Sequence, residues 1–231
     1  MRFTEQELRE LGEKGFDPLG FERVWEDYRA RRWDRELVVD PARISPPDEH
    51  VLVTPPSPPD PAHEMLMAQG REAIDAGRVG ILILNGGMAT RFGGVVKGTV
   101  DVVDGRSFLQ LKIGQIRKVA PGAHIYLMNS PATHNKTLAH LDQRGIADHR
   151  IHHFVQPVAP RISMDGEVVR EQDGSISVNG MGHGDTLAAF RDQCLSGFTE
   201  AGGETVMISN VDNLGAVLDP ALVGLHLQQG K

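Results

Sequence analysis

The glycine-rich segment 84–98 has residue types that bind phosphate groups, and it follows the apolar run 79–84. Leu84 ends that run, and Asn85 precedes the paired glycines Gly86 and Gly87. Glycines lack the Cβ atoms that would keep a ligand away from the backbone amides. Such a loop can therefore bring main-chain N–H groups against a nucleobase or a phosphate.

Two cations of the same segment, Arg91 and Lys97, add positive charge for phosphate oxygens. The spacing excludes the two common glycine loops. A Walker loop needs Ser or Thr after its lysine, whereas Gly98 follows Lys97, and no G-x-G-x-x-G runs directly into a helix. A glycine-rich turn with two solvated cations is the alternative interpretation.

Two amide-bearing segments follow the next apolar runs. Met128 ends the run 123–128 just before a predicted helix, whose first turn gathers N–H donors and a positive dipole. Met128 could cover one face of a base, or it could be a core residue. Gln156 carries an amide that both donates and accepts, as the edge of a pyrimidine requires. An ordinary loop residue is the alternative for Gln156.

Two further segments carry a histidine and a carboxylate. His183 stands between Gly182 and Gly184, just before a predicted helix, and could touch a phosphate; a flexible turn is the alternative. Asp212 lies just beyond the apolar run 205–209, after Asn210. One carboxylate in such a place can hold Mg²⁺ against nucleotide phosphates. A cap of a helix or turn is the alternative for Asp212.

Apolar runs and helical patterns alternate along the chain, which predicts an α/β fold with a Rossmann-like, mostly parallel sheet flanked by helices. The predicted strands are 79–84, 123–128, 152–155 and 205–209. The predicted helices are 62–76, 107–119, 130–145, 185–196 and one opening at Asp219-Pro220, with a hairpin over 161–169. Ligands of parallel sheets bind at the carboxyl ends of the strands. All five segments above fall at that edge.

The first part of the chain has a different pattern. Thr4 and Glu7 have the spacing of a capping box, which predicts a helix that ends near residue 15. A second helix is predicted over 18–37, and the proline-rich stretch 41–61 reads as an extended connector. The sequence therefore predicts two parts, a helical arm with its connector over 1–62 and the α/β domain over 63–231.

Composition narrows the class of protein. The net charge of −7 argues against nonspecific binding to nucleic acid. A single cysteine, Cys194, excludes an internal disulfide and a multi-cysteine metal cluster. The polar N-terminus does not have the pattern of a signal peptide, and the longest apolar run, 79–84, is too short to cross a bilayer. We therefore expect a cytoplasmic enzyme with no nucleic-acid or membrane partner.

The segments resemble UTP–glucose-1-phosphate uridylyltransferases and the related UDP-N-acetylhexosamine pyrophosphorylases over residues 81–221. Five matches occur in the family's order: Asn85-Gly86-Gly87 with Lys97, Met128-Asn129-Ser130 with Thr133-His134, Gln156 with Pro160-Arg161-Ile162, Gly182-His183-Gly184-Asp185, and Asn210-Val211-Asp212-Asn213-Leu214-Gly215-Ala216. Two positions depart from the family pattern. Ala89 replaces a glycine, and Val96 replaces the proline before the lysine.

This resemblance implies the nucleotide-diphospho-sugar transferase fold and a reaction in which UMP passes from UTP to a sugar 1-phosphate, most simply glucose 1-phosphate, with release of pyrophosphate. It implies Mg²⁺ on Asp212, charge neutralisation by Lys97 and Arg91, His183 near the sugar phosphate, and Gln156 on uracil. Nucleotide contacts are implied for Leu84, Asn85, Gly86, Gly87, Met128, Gly182, Asn210 and Asp212.

Three alternatives stay open. Arg91 resembles the Thr-Arg of the hexosamine branch, so the sugar could be N-acetylglucosamine. The chain could also be a UTP-binding module without turnover, or a Rossmann-like interaction protein. Because the resemblance stops soon after Asp212, we further expect a chain that lacks the sugar pocket and binds UTP without efficient turnover.

Overall fold

The computed structural model describes residues 3–30, 44–48, 51–89 and 94–230. The chain divides into two compact units. The smaller unit combines Met1–Thr54 with Pro157–Met181, and the larger unit combines Pro55–Gln156 with Gly182–Lys231. Residues 157–181 thus group with the N-terminal segment. The domain division at residue 62 stays a prediction.

Helices and strands alternate along the described part of the chain. The helices are α1 (Glu5–Gly12), α2 (Pro18–Arg29), α3 (Pro61–Asp75), α4 (Phe108–Val119), α5 (His134–Gln143), α6 (Thr186–Gln193), α7 (Leu195–Glu200) and α8 (Pro220–Gln228). The strands are β1 (Val79–Leu84), β2 (Met88–Ala89), β3 (Val95–Val96), β4 (Asp101–Val103), β5 (Arg106–Ser107), β6 (Ile125–Asn129), β7 (Ile151–Val155), β8 (Val158–Pro160), β9 (Val178–Gly180) and β10 (Thr205–Asn210).

A four-stranded sheet in the order β10-β1-β6-β7 forms the centre of the larger unit, and its neighbouring strands are all parallel. Strand β1 reads Val-Gly-Ile-Leu-Ile-Leu and is buried along nearly its whole length. Such a continuous apolar strand is typical of a parallel sheet whose two faces are both covered. The predicted α/β fold with a parallel sheet flanked by helices is confirmed.

Alternate side chains of β1 pack in two different hydrophobic clusters, one on each face of the sheet. Ile81 and Ile83 pack on one face with the buried side chains of α3 and α4, such as Ile74 and Ile113. Leu82 packs on the other face in a second cluster, which includes Phe190 of α6. Because successive side chains of a strand point to opposite faces, this one strand joins both layers of helices to the sheet.

Helices α3 and α8 approach closely through two glycines. A Cβ on Gly70 would collide with the carbonyl of Pro220, and a Cβ on Gly224 would collide with the carbonyl of Leu66. Asp219 caps α8, since its side chain accepts a hydrogen bond from the Ala221 N–H. The predicted start of the last helix is therefore confirmed, and α8 packs on α3.

The smaller unit joins α1 and α2 to the antiparallel pair β8–β9. Leu11, Phe16 and Val158 form its buried core. Trp25 donates from Nε1 to the carbonyl of Gly166 at 2.7 Å, in the turn of the predicted hairpin. The predicted capping box is present at the start of α1.

Some predicted boundaries are wrong. The helix predicted to start at Ser130 starts at His134, because Ser130 instead opens a turn in which its carbonyl accepts from the Thr133 N–H at 3.0 Å. The helix predicted over 185–196 breaks at Cys194, whose backbone is not helical, and continues as α7. The predicted helix over 18–37 extends beyond the described residues, which contain α2 up to Arg29.

The described helices include none that is long and apolar enough to span a membrane.

Candidate functional site

The four strands of the sheet end at one edge, where the predicted segments begin. Leu84, at the end of β1, pairs in register with Asn210 on one side and Met128 on the other, and Asn129 pairs with Val155. The loops that follow β1, β6, β7 and β10 therefore leave the sheet side by side. This is the edge where parallel sheets bind ligands.

Gln156 links three of these segments. Its N–H donates to the Asn129 carbonyl at 2.9 Å, and its side-chain Oε1 accepts from the Gly182 N–H at 3.2 Å. A Cβ on Gly86 would lie 2.9 Å from Gln156 Nε2 and 3.3 Å from the Ser130 nitrogen. Only glycine leaves room for the amide in this place, and Gln156 is 6% exposed.

Asn85 has a fully buried side chain that joins two strand ends to a helix. Its Nδ2 donates to Asn129 Oδ1 at 2.7 Å and to Thr137 Oγ1 at 2.9 Å. Its backbone N–H donates to the Met128 carbonyl at 2.8 Å. The Nδ2 and backbone bonds fix the start of the glycine-rich loop, while Asn85 Oδ1 is buried without a hydrogen-bond partner among the described residues. The predicted contact of Asn85 with nucleotide stays a prediction.

Lys97 faces Asp212 at the same edge, with Nζ 3.0 Å from Oδ2. The short antiparallel ladder of β2 and β3 returns the glycine-rich loop toward the sheet, and the Lys97 N–H donates to the Gly87 carbonyl at 3.2 Å. Lys97 then opens a 3₁₀ turn over Lys97–Thr99. The side chains of Lys97 and Asp212 are 39% and 36% exposed, so both remain accessible to a ligand.

The histidine segment begins at Gly182, whose φ of +82° favours glycine. His183 is exposed and opens a 3₁₀ turn over His183–Asp185. Asp185, predicted to cap the next helix, makes no side-chain capping bond. Burial raises the pKa of the Asp185 carboxyl.

The remaining predicted residues have different surroundings. Met128 is 1% exposed and lies in the core cluster with Leu82 and Phe154, which supports the packing alternative over a contact with a base. Asn210 is exposed at the end of β10. Arg91 lies outside the described residues.

The carboxylates of the described residues do not form a preformed metal cage, since no three His, Cys, Asp or Glu side chains come together there. Asp212 supplies a single exposed carboxylate. Mg²⁺ is commonly held by one or two carboxylates together with substrate phosphates. Asp212 therefore fits a cation shared with a nucleotide and does not fit one held by protein alone.

Two residues of this region were missed by the sequence analysis. Thr137 supports Asn85 from α5, and its position one turn after Thr133 gave no signal. Lys112 is 1% exposed and donates to the carbonyls of the loop that carries Asp212. A sequence signal existed for Lys112, because it falls on the apolar face of α4 that Leu109 and Ile116 define.

Comparison with known proteins gives one family. The family model described as UTP–glucose-1-phosphate uridylyltransferase matches residues 20–231. A curated relative, UTP–glucose-1-phosphate uridylyltransferase 2 of Dictyostelium discoideum, is 32% identical over 195 residues, which cover 80% of this chain and 38% of the relative. The chain thus spans well under half the length of that relative.

Two solved structures have a similar fold. The UDP-glucose phosphorylase of Trypanosoma brucei matches with a TM-score of 0.70 and 23% identity, over 96% of this chain and 46% of that one. The UDP-N-acetylglucosamine pyrophosphorylase of the same organism, solved with an inhibitor, matches with a TM-score of 0.63 and 24% identity, over 73% of this chain and 38% of that one. At these identities the likeness concerns the fold alone.

Proposed function

Since the chain belongs to the UTP–glucose-1-phosphate uridylyltransferase family, we propose that it binds UTP at the carboxyl edge of its parallel sheet and provides the nucleotide site of a uridylyltransferase. In the proposed reaction UMP passes from UTP to glucose 1-phosphate, giving UDP-glucose and pyrophosphate.

The facing pair of Lys97 and Asp212, 3.0 Å apart, is the observation that carries this proposal. A cation on a flexible side chain beside a carboxylate, both more than one-third exposed, is suited to a triphosphate that arrives with a divalent cation. The ammonium would turn to phosphate oxygens and the carboxylate to the cation. A purely structural ion pair at such exposure would add little stability, below about 1 kcal/mol.

The proposed chemistry is a single in-line displacement. An oxygen of the sugar 1-phosphate forms a bond to the α-phosphorus of UTP while the bond from that phosphorus to the bridging oxygen breaks, and pyrophosphate leaves with the bonding electrons. No covalent intermediate with the protein is needed, so the protein contributes positioning and charge stabilisation. Lys97 would offset the negative charge that develops on the phosphates.

The other residues would recognise the nucleotide and its partner. Gln156 would bind the uracil edge with its amide, and Gly86 and Gly87 would offer backbone N–H groups. His183, exposed at the same edge, would lie near the sugar phosphate. Arg91 would add a second cation for the phosphates.

Mg²⁺ fits the single carboxylate of Asp212 only when nucleotide phosphates complete its ligands. When bound, it supplies positive charge to the phosphate oxygens. Asp212 would bind and orient this cation, and Lys97 would then be free to contact the phosphates.

The test uses the purified 231-residue chain. Titration calorimetry would measure the affinity for UTP, CTP, ATP and GTP with Mg²⁺, and a coupled pyrophosphate assay would compare glucose 1-phosphate with N-acetylglucosamine 1-phosphate. We expect preference for UTP, with inefficient pyrophosphate release that is faster with glucose 1-phosphate.

The outcomes separate the alternatives. Faster release with N-acetylglucosamine 1-phosphate would assign the hexosamine reaction. UTP binding with no release on either sugar, also in a longer chain that spans the full length of the relatives, would indicate a binding module. No UTP-dependent heat and no thermal shift would overturn the proposal.

A further inference from the structure

Lys112 is a lysine inside the core of the larger unit. It lies on α4 with 1% of its surface exposed. Its Nζ donates to the carbonyls of Asn213, at 2.9 Å, and Ala216, at 2.5 Å. Both carbonyls belong to the loop that follows β10, and Asp212 immediately precedes the first of them.

A charge in this position is costly for folding alone. Burying an ammonium group costs several kcal/mol unless partners compensate it, and burial lowers the pKa of Lys112. Over the described ranges Lys112 forms no ion pair, so carbonyl oxygens are its hydrogen-bond acceptors. An apolar side chain such as Met would avoid the buried charge but would leave both loop carbonyls without this donor, so the ammonium serves the loop.

The small cavity beside Lys112 is lined mostly by apolar side chains, but two polar atoms also face it. Gln115 Oε1 and Ser209 Oγ are buried without a hydrogen-bond partner in the described part of the chain. Both residues line, with Lys112 and Ala216, a cavity of about 10 Å³. One water molecule fits such a volume and can make the two to four hydrogen bonds that these groups need. The Lys112 ammonium therefore lies beside two further polar groups beneath the loop.

The loop above Lys112 is a series of tight turns. The Asn213 N–H donates to the Asn210 carbonyl at 3.2 Å, and the Leu214 N–H donates to the Asp212 carbonyl at 3.1 Å. The side-chain Oδ1 of Asn213 accepts from the Ala216 N–H at 3.1 Å. The ammonium group joins both ends of the turn over 213–216 to helix α4.

We propose that Lys112 is a positioning residue for Asp212. Its buried ammonium fixes the turn over 213–216 from below, and so holds the neighbouring carboxylate at the sheet edge where a divalent cation and the nucleotide phosphates would meet it. This inference rests on the proposed function, in which Asp212 binds the cation.

The test measures UTP affinity by calorimetry once in Mg²⁺ and once in EDTA. The ratio of the first affinity to the second is the gain that Mg²⁺ produces. Removal of a group that orients a metal ligand typically costs 10–100-fold in metal affinity or activity. We therefore expect Lys112→Met to reduce the gain roughly 10–100-fold, while the affinity in EDTA stays within about twofold of wild type, well under the effect of one hydrogen bond. The matched control is Lys118→Met, the same change at an exposed position of the same helix, which should change neither value.

The results distinguish this inference from the proposed function. If Asp212→Asn keeps the wild-type gain, the metal role of Asp212 is wrong. The positioning inference is wrong if Asp212→Asn loses the gain while Lys112→Met keeps it. It is also wrong if Lys112→Met weakens UTP binding equally in Mg²⁺ and in EDTA.

Two further measurements apply if Lys112→Met does not fold. Lys112→Gln retains N–H donors without the charge, and should lose part of the gain. In the wild-type chain, the NMR signal of the Lys112 ammonium should shift when Mg²⁺ and UTP are added and should stay unshifted in Asp212→Asn. An unshifted signal in the wild type would overturn the inference.

Discussion

Gly86 and Gln156 lie so close together that a Cβ on Gly86 would be 2.9 Å from the Gln156 amide nitrogen. The two residues come from loops after β1 and β7, which are not neighbours in the sheet. The side-chain Oε1 of Gln156 also accepts a hydrogen bond from the Gly182 N–H at 3.2 Å. The amide therefore lies between Gly86 and Gly182, and a side chain at residue 86 requires it to shift.

Gly86→Ala should weaken UTP binding more than it weakens the fold. The new methyl would push the Gln156 amide away and break its bond to Gly182, a loss of about 1 kcal/mol, or roughly fivefold in affinity. Calorimetry with UTP and thermal unfolding would measure the two effects. Gly114→Ala is the control, since a Cβ there has no neighbour within 4 Å. A fully retained UTP affinity would contradict the assignment of this amide to the nucleotide.

Gln156→Ala should reduce the preference for UTP over CTP. Uracil offers an N–H and a carbonyl to one amide, whereas cytosine presents a different pattern and leaves polar groups unpaired, at about 1–3 kcal/mol. We expect the ratio of the two affinities to fall roughly 5–100-fold. The exposed Gln143→Ala is the control. If the wild-type chain binds UTP and CTP equally, Gln156 does not read the base.

Lys97→Ala should weaken triphosphate binding and leave the melting temperature nearly unchanged. A charged hydrogen bond contributes about 1.5–3 kcal/mol, or roughly 10–150-fold in affinity. The ion pair with Asp212 is more than one-third exposed on both sides, so its own contribution to stability is small. Calorimetry would measure the affinity for UTP, and thermal unfolding of the same sample would measure the melting temperature. A large drop in melting temperature with normal UTP affinity would assign Lys97 to structure.

The sequence predicted each member of the Lys97–Asp212 pair, but not their contact. Both were identified from local residue types. Their distance of 3.0 Å depends on the parallel pairing of β10 with β1, which joins segments more than a hundred residues apart. Periodicity predicts strands and their burial, and it does not give the order of strands in a sheet. The fold class was therefore accessible, while the geometry of the site was not.

Side-chain direction was harder still to predict. Asn85 and Lys112 are polar residue types that are mostly exposed or at a ligand, and the structure buries both, although the position of Lys112 on the apolar face of α4 was a signal for its burial. Their partners, Thr137 for one and the Asn213 carbonyl for the other, lie far along the chain. Met128 shows the opposite case: its end-of-strand position allowed a contact with a base, a core position was the more frequent alternative, and the side chain is buried.

Acid should destabilise the protein through His153. Burial is the main cause that lowers the pKa of His153 to about 4, with His134 and His152 adding repulsion. Below its ordinary pKa of about 6.5 the unfolded histidine takes up a proton that the folded one refuses. Stability is therefore complete above pH 6.5 and falls as the pH approaches 4, by about 1–3 kcal/mol after allowance for partial exposure.

His153→Gln should remove this part of the acid sensitivity. Urea unfolding between pH 7 and pH 4 would measure the free energy of unfolding of both proteins. The wild-type value should fall more steeply toward acid than that of His153→Gln. The control His226→Gln, at an exposed position, should follow the wild-type profile. Parallel curves for wild type and His153→Gln would show that His153 titrates normally.

Asp212→Asn should act in opposite directions with and without metal. In EDTA the carboxylate neutralises Lys97 and repels the triphosphate, so its removal should raise UTP affinity by a few fold, within the range of about 1 kcal/mol for an exposed pair. In Mg²⁺ the same change removes the cation ligand, so affinity should fall below wild type and pyrophosphate release, where the wild type shows it, should stop. Circular dichroism should be unchanged, because a carboxylate that is 36% exposed is not needed for packing. A fall in affinity of the same size in both buffers would instead favour a capping role for Asp212 in its loop.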